Sequence, residues 1–447
     1  MTKMQFLRLL CAALAIVPLA GCGDGRSTSD AGVVHLQVWS MWSGDEERSF
    51  EAVLAEYHKE HPGVVVDNLG AVTDEKSVRA IIAGAPPDIF TITDPSYLGT
   101  LAANNALEPL DGQFDAAGFK DQDFTPGALD ECRYHGHLYA MPYLMDCIAL
   151  LYNKDVFQDA GLDPNKPPRT YDELVEDCRK ITKRDADGRL TRIGLHPVEI
   201  SPALLMSMFD GRFIDEHGRI TADNPNNIEG VTAYMRLMDA QGGYPAVQSF
   251  ASGFGANTGA FNPFFHGDVG MLISGEWNAY TAFRYSPGTH YGVVALPYPG
   301  NHPNRAGLVW LADNPFCIPR GSKHAREAWE FLKWTQTPLA QKMFASTLHN
   351  VPNLRSELHD KDLIADPPFV AKGPKDVDPN SWRPLYGKFL ALADSPTATG
   401  FPTMPVASMY AKELSNVYDS VGYGSKKPAE ALAAIDVRVQ REMDKYQ

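Results

Sequence analysis

Basic residues are scarce in this chain. Lysine and arginine together number 40 and aspartate and glutamate 55, so the formal net charge of the 447 residues is −15. No basic run follows residue 21. Contacts to nucleic-acid phosphates need clustered lysine and arginine side chains, so this distribution excludes nucleic acid as an expected partner. The acidity favours solubility and does not indicate a fold.

Cysteine is also scarce, with six residues in all. None stands in a C-x-x-C pair, and His135 and His137 have no nearby cysteine or acidic cluster that would complete a metal site. We therefore expect neither a metal nor another cofactor. Structural burial or one disulfide is expected for the cysteines of the folded part, which are Cys132, Cys147, Cys178 and Cys317.

No apolar run near the start is long enough to span a membrane. The run from Leu9 to Ala20 is about half of the ~20 residues that a bilayer requires. Lys3 and Arg8 precede it and small residues close it, an order typical of an export signal. The closing Leu19-Ala20-Gly21-Cys22 resembles the bacterial lipobox, although an ordinary signal peptide with an incidental cysteine is an alternative. The sequence thus predicts a signal peptide over 1–21, a lipidated Cys22 and a flexible linker over 22–32.

Alternating strand and helix patterns follow the linker. Residues 33–39 alternate in polarity, and 64–67 and 87–92 are further apolar stretches, as strands require. Between them lie a helical pattern that opens on a capping box, Ser43 with Glu46, and a candidate helix over 75–83. Strand–helix–strand order predicts a parallel sheet with right-handed crossovers.

The same alternation recurs later in the chain. Residues 147–152 form a continuous apolar run, which is typical of a strand buried on both faces. A second capping box, Thr170 with Glu173, opens a helix, and another helix is predicted over 325–334. The fold class is therefore α/β with at least two sheets.

Five blocks in order resemble the extracellular solute-binding proteins of ABC importers, in the sugar-binding group related to maltose-binding protein. They cover nearly all of the chain after the linker. The blocks are Trp42-Ser43-Gly44 with the following acidic helix; Pro87-Asp88-Ile89-Phe90 with Leu107-Glu108-Pro109-Leu110; Gly136 to Pro142 running on to Leu151 through Leu174; Gly267 to Trp277 with Tyr291-Gly292-Val293; and Ala328 to Leu332.

This resemblance implies the type II periplasmic binding protein fold, in which two α/β lobes close on a ligand by a hinge. Lobe 1 is expected over 33–145 plus 300–350, and lobe 2 over 146–299 plus 351–447. The chain is expected to cross between them near 142–147, 299–306 and 345–365.

A saccharide site needs aromatic rings for the apolar faces of the sugar and fixed polar groups for its hydroxyls. Trp277 occupies the aromatic position of a Gly-x-Trp pattern in this family, where many members have proline instead of Glu276. Asp94 follows the third strand, and Asp146 lies at the expected crossover. For each candidate, packing, capping or a surface ion pair is the alternative to ligand contact. The full set of candidates is Trp39, Trp42, Asp94, Tyr143, Asp146, Trp277, Trp310, Asp313, Trp382, Arg383 and Tyr410.

The resemblance implies a non-catalytic, lipid-anchored monomer at the extracytoplasmic face. It would bind a carbohydrate and pass it to ABC permease subunits. The chain contains no G-x-S-x-G, H-E-x-x-H or P-loop pattern. The catalytic carboxylates of glycosidases have no short sequence signature, so a lipid-anchored glycoside hydrolase is an alternative function. A ligand-presenting sensor of the same fold is another.

Overall fold

The computed structural model describes residues 32–94, 96–197, 200–254, 259–365, 378 and 381–446. The predicted signal peptide, Cys22 and the linker as far as residue 31 lie outside this range. From Val34 onward the chain forms one compact unit.

The strands are β1 Val34–Trp39, β2 Val64–Leu69, β3 Ile89–Thr91, β4 Arg133–Tyr134, β5 His137–Leu138, β6 Ala140–Met141, β7 Met145–Asn153, β8 Lys183–Arg184, β9 Leu190–Leu195, β10 Val269–Ser274, β11 Tyr291–Val294, β12 Trp310–Asp313 and β13 Phe316–Cys317.

The helices are α1 Gly44–Glu60, α2 Asp74–Ile82, α3 Ser96–Ala103, α4 Asp111–Ala117, α5 Lys154–Asp159, α6 Tyr171–Ile181, α7 Pro202–Met208, α8 Pro225–Ala240, α9 Tyr244–Ser252, α10 Pro263–His266, α11 Trp277–Tyr285, α12 Ala325–Trp334, α13 Pro338–Leu348, α14 Arg355–Leu358, α15 Lys361–Ala365, α16 Arg383–Ala393, α17 Ala407–Gly422 and α18 Pro428–Met443.

The first sheet has the order β2-β1-β3-β13-β6. β1 pairs in parallel with β2 and β3, and α1 and α2 make the connections, which confirms the predicted strand–helix–strand start. β13 joins from far along the chain and pairs antiparallel with β3 and β6. The first sheet is therefore completed by β13, which comes much later in the chain than its other strands.

The second sheet has the order β11-β7-β10-β9-β8, with β12 also paired to β7. The predicted apolar strand over 147–152 lies within β7. The first residues of β7 pair with β12, and its later residues pair with β10 and β11. β7 thus pairs with β12 through its first residues and lies between β11 and β10 through its later ones. In the described part of the chain, no helix combines the length and apolar character needed to cross a bilayer.

Three chain segments meet at the start of β7. Met145 pairs with Asp313 on one side and forms a bridge with Val351 on the other, through backbone hydrogen bonds of 2.9 and 3.1 Å. Nearby, the Asn353 side-chain amide donates to the carbonyl of Pro142 at 2.7 Å. Adjacent crossing segments of this kind are where a two-lobed protein can bend.

One sequence prediction needs correction here. Ser43 is the N-cap of α1, but its side chain makes no capping hydrogen bond, because Gly44 has a φ of +60° and turns the following amides away. The lobe ranges and the crossings between them stay a prediction. The Thr170–Glu173 capping box of α6 is confirmed.

Apolar side chains form one buried cluster around each sheet. Members around the first sheet include Leu36, Phe50, Phe90, Phe316, Phe331 and Phe344. Members around the second include Leu174, Tyr234, Leu237, Met271, Tyr410 and Leu432. Cys132, Cys147, Cys178 and Cys317 are free and buried within these clusters, so burial and not a disulfide accounts for them.

Candidate functional site

Two adjoining cavities lie between segments of the first sheet and segments of the second. The larger, of 340 Å³, is bounded by residues 127–133 on one side and 398–403 on the other. The smaller, of 200 Å³, is bounded by Asp94, the start of α7, β12 and the middle of α17. Glu131, Ala312 and Phe401 line both. Ligand sites of known proteins commonly occupy about 300–1,000 Å³ and lie between domains, and the larger of these adjoining cavities falls in that range.

Close packing between α3 and the segment before α17 borders this region. The Thr100 hydroxyl donates to the carbonyl of Pro405 at 2.6 Å. A Cβ atom at Gly99 would lie only 2.3 Å from the carbonyl oxygen of Met404, so glycine is needed for this approach. Helix α3 follows the first sheet and α17 packs on α7 and α18, so the two halves are in contact here.

Buried carboxyl groups are the main polar feature of the cavities. We call Glu131, Asp146 and Asp313 the acidic cluster. The Glu131 carboxylate accepts from the backbone N–H of Asp313 at 2.7 Å, and the Cys132 thiol donates to Asp313 Oδ2 at 3.4 Å. The pKa values show that the three carboxyls lie close enough to affect one another.

Two amide side chains hold Asp146. Asn350 Nδ2 donates to its Oδ1 at 2.6 Å, and Asn314 Nδ2 donates to its Oδ2 at 3.3 Å. The same Asn350 amide donates to Glu276 at 3.1 Å, and Glu276 also accepts from the backbone N–H of Cys147 at 2.8 Å. Asn350 thereby links β7, the segment after α13 and the residue before α11.

Two buried polar atoms at the cluster have no hydrogen-bond partner. They are Asp313 Oδ1 and the Tyr143 hydroxyl oxygen, on residues that are 3% and 0% exposed. The Tyr143 ring is stacked on Phe316 at a centroid distance of 3.9 Å, and the edge of Trp42 contacts it at 5.4 Å. Burying a polar group without a partner costs free energy, so such atoms are typical of places that a ligand completes.

Burial raises the pKa values of the acidic cluster. The pKa of Glu131 rises to about 8, chiefly through loss of hydration, with repulsion from Asp146 and Asp130 adding to the effect. The pKa of Asp146 rises to about 6 for the same main reason, although its two amide partners oppose the rise. Burial followed by repulsion from Glu131 raises the pKa of Asp313. The cavities are therefore lined by carboxyls that retain protons at an unusually high pH.

Five of the predicted site residues lie at this place. Asp94 and Trp310 line the smaller cavity and Asp313 the larger. Asp146 and Tyr143 contribute to the electrostatics around Asp313 and Glu131. Trp42 is 3% exposed and lies one layer behind, between Phe50 and Tyr143.

The other predicted residues do not line these two cavities, and a role in binding stays a prediction for each. Trp39 lies beneath the Lys76 ammonium group. Trp277 begins α11 and is 36% exposed, next to Glu276. Trp382 is buried against His349 and Tyr386, Arg383 begins α16, and Tyr410 is buried against Phe213 and Phe401.

Sequence patterns did not predict Glu131, Phe401 or Asn350. Glu131 stands between Asp130 and Cys132 in a loop without a motif, and Phe401 lies more than 250 residues away along the chain. In the sequence, Glu276 stands out only because many members of the family have proline at this position. No local signal marks these residues, because only the folded chain brings them together.

A larger cavity of 980 Å³ lies elsewhere, beside α6. It is bounded by residues 165–180, 294–298 and 306–307, which pack around the second sheet. It receives no residue from the first sheet and so is not the cavity between the two halves. Among the described residues, no group of histidine, cysteine, aspartate or glutamate is arranged to hold a metal ion.

The architecture is that of the two-lobed, maltose-binding-protein-like periplasmic binding proteins, which confirms the predicted fold class. Residues 43–342 match the family described as bacterial extracellular solute-binding protein, and the chain belongs to that family. The predicted family is thereby confirmed.

Three similar proteins illustrate the range of the family. The maltotriose-binding protein of Pyrococcus abyssi is 26% identical over 366 residues, which is 79% of this chain and 72% of that protein. The sn-glycerol-3-phosphate-binding periplasmic protein of Shigella dysenteriae is 24% identical over 309 residues, or 66% of this chain and 67% of that protein. The structure of CpMnBP1 with mannobiose bound has a TM-score of 0.77 and 26% identity, covering 91% of this chain and 99% of that one.

Proposed function

We propose that this protein is a receptor that captures a sugar or oligosaccharide between its two halves and delivers it to an ABC permease. The observation that supports this most is the pair of cavities, which Trp310 and Phe401 line together with Asp313, whose buried Oδ1 has no hydrogen-bond partner. Aromatic faces suit the apolar faces of sugars, and carboxyl groups suit their hydroxyls. The names of the maltotriose and mannobiose binders support the same ligand class.

Bending at the three segments that meet at Met145 would open the cavities. Because Asp94 and Glu131 come from segments after β3 and before β4, while α7 and α17 pack with the second half, separation of the halves would expose the site to ligand. Closure on the ligand would then supply partners for the Tyr143 hydroxyl and Asp313 Oδ1. Named relatives are binding proteins, so we expect capture without chemical turnover.

A melting-shift screen of monosaccharides and oligosaccharides, including maltotriose and mannobiose, tests the receptor. A ligand at 100 times its Kd stabilises the folded state by about 2.7 kcal/mol, which is a readily measured shift. Trp310→Ala should abolish most of the shift, whereas Tyr423→Ala, at an exposed position outside the two cavities, should retain it. Absence of a shift with every saccharide would contradict the proposal, and cleavage products after long incubation would support a hydrolase instead.

We further propose that a lipid on Cys22 anchors the mature protein at the extracytoplasmic face of a membrane. The lipobox-like Leu19-Ala20-Gly21-Cys22 and the short polar linker after it support this placement. Expressed with its full N-terminus, the protein should fractionate with membranes, and Cys22→Ser should release it. Cys132→Ser, which removes a buried thiol from the folded part, is the control. Equal membrane association of the wild type and Cys22→Ser would rule out the anchor.

A further inference from the structure

We propose that the saccharide taken by this site carries an ammonium group, as an amino sugar does, and that Glu131 and Asp313 hold the charge. The inference rests on the proposed function and narrows its ligand class. Neutral sugars would also find hydroxyl partners among carboxyl groups. The case for a cation comes from the charge balance of the cavities and from the polar atoms left without partners.

The charge balance of the cavities is strongly acidic. Four carboxyl residues line one or both: Asp94, Asp130, Glu131 and Asp313. Arg133 is the cationic residue among the described lining, and it forms a two-pronged ion pair with Asp121, with both N–O distances 2.7 Å. Its charge is therefore already matched, and Glu131 and Asp313 have no lysine or arginine partner in the described part of the chain.

The unpartnered oxygen of Asp313 shows where an ammonium group would bind. Asp313 lines the larger cavity, and its Oδ1 is buried and has no hydrogen-bond partner. The Tyr143 hydroxyl is also buried and without a partner, and burial followed by Asp313 raises its pKa, but Tyr143 lines neither cavity. An ammonium group has three donors and no acceptor, so it could satisfy Asp313 Oδ1, and a donor that reached past Asp313 would also serve the Tyr143 oxygen.

An ammonium group differs from a sugar hydroxyl here because its positive charge is opposite to that of the ionised Glu131 and Asp313 carboxylates. Burial disfavours the ionised forms of Glu131 and Asp313 and so raises their pKa values, and a hydroxyl ligand brings no charge that would oppose this effect. An ammonium ligand would replace a proton with a fixed positive charge beside Glu131 and Asp313. Charge-assisted hydrogen bonds are stronger than neutral ones, so the cationic ligand gains more from the same contacts.

Trp310 and Phe401 supply the apolar part of the same site. Trp310 is 9% exposed and lines the smaller cavity, and Phe401 lines both. Their rings are suited to the carbon face of a pyranose, and an aromatic face also attracts a nearby cation. A small inorganic or aliphatic cation would leave these rings without a partner, which is why we infer a saccharide that bears the amine.

Proton release follows from this arrangement. Burial, with added repulsion from Asp146 and Asp130, raises the pKa of Glu131 to about 8, so Glu131 is mostly protonated at pH 6. A bound ammonium group favours the ionised carboxylate, and the proton leaves to the buffer. Binding at pH 6, where the amine of an amino sugar is charged, should therefore be accompanied by net release of protons.

Matched pairs of saccharides test the inference by isothermal titration calorimetry. The dimers and trimers of glucosamine, galactosamine and mannosamine are each compared with their N-acetylated forms, which have similar rings and no charge. We expect at least one amino form to bind about ten- to a hundredfold more tightly than its neutral partner, the factor expected for a hydrogen bond to a charged group. Titration in two buffers of different ionisation enthalpy should show proton release.

Two variants locate the charge. Glu131→Gln and Asp313→Asn should reduce the affinity for the amino form to that of the neutral form. Glu216→Gln and Asp187→Asn, which make the same chemical changes at exposed positions, should leave it unchanged. Each variant is first checked for an unaltered circular dichroism spectrum and a cooperative melting transition, and a Glu131→Asp variant that retains partial preference would further support the charge.

The outcomes separate this inference from the proposed function. If a neutral saccharide binds and no amino form binds more tightly than its neutral partner, the inference fails and the receptor stands. If the amino form binds more tightly but Glu131→Gln and Asp313→Asn do not reduce that preference, the assignment to these carboxyls also fails. If neither the amino forms nor maltotriose and mannobiose produce a melting shift, the proposed function itself fails.

Discussion

Buried tyrosine hydroxyls differ in whether they have a hydrogen-bond partner. Tyr143 and Tyr386 are both buried tyrosines of the same apolar cluster, yet only the Tyr386 hydroxyl has a partner, the carbonyl of Asn350 at 2.6 Å. The Tyr143 hydroxyl has none. A buried hydroxyl without a partner lowers stability, so its presence indicates a requirement other than folding.

Removal of the two hydroxyls should have different effects on the free energy of unfolding. Tyr143→Phe keeps the ring against Phe316 and removes an unsatisfied oxygen, so the free energy of unfolding should stay the same or rise. Tyr386→Phe removes a hydrogen bond and leaves the Asn350 carbonyl unpaired, and should cost about 1–3 kcal/mol. Urea unfolding of the unliganded protein measures both values.

Ligand affinity gives the second measurement for the same pair. Tyr143→Phe should weaken binding of whichever saccharide shifts the melting temperature, by about a factor of ten for a lost hydrogen bond. An equal loss of stability in the two variants would show that the Tyr143 hydroxyl has a partner in solution and is not available to a ligand.

Helix and strand elements were the part of the structure that local sequence patterns predicted well. Side chains at helical spacing, such as Phe50, Val53 and Tyr57, are all buried on one face of α1. The run over 147–152 is buried in β7 because the strand has neighbours on both sides. Capping was less predictable, since the residue pattern at Ser43 is correct while the backbone at Gly44 prevents the bond.

The two capping positions provide a matched test of this difference. The Thr170 side chain accepts from the backbone N–H of Glu173 at 3.3 Å, and the Glu173 carboxylate accepts from the backbone N–H of Thr170 at 2.9 Å. Thr170→Ala should therefore lower the free energy of unfolding by about 0.5–2 kcal/mol, whereas Ser43→Ala should change it by less than about 0.5 kcal/mol. Equal losses in urea unfolding would contradict the assigned capping geometry.

At the scale of the whole molecule, the site depends on segments that are distant in sequence. Asp94 and Asp146 can be named from the sequence because the one follows the third predicted strand and the other stands at an expected crossover, whereas Asp313 is a candidate without such a signal. Glu131 and Phe401 could not, because the loops that carry them have no periodic pattern and meet only after both sheets have formed. The resemblance to a family indicated that a cleft exists, and only the packing of residues 127–133 against 398–403 shows which carboxyls line it.

Burying acidic groups at this junction makes the stability of the whole molecule depend on pH. The pKa of Glu131 is about 8 in the folded protein against an ordinary value of 4.5. Between these values the folded state binds more protons than the unfolded state, so the free energy of unfolding falls as pH rises. The stabilisation from the protonated carboxyl is fully present below pH 4.5 and is lost as pH rises through 8.

Urea unfolding at pH 5, 6, 7 and 8 measures this dependence, and the difference between variants isolates Glu131 from all other titrating groups. Glu131→Gln, which cannot ionise, should be more stable than the wild type at pH 8 and should have a shallower slope, the difference reaching at most about 1.4 kcal/mol per pH unit. Glu216→Gln, at an exposed position, should follow the wild type. Parallel curves for the wild type and Glu131→Gln would mean that Glu131 is ionised at neutral pH, and the buried acidic cluster would then need a counter-charge even before ligand arrives.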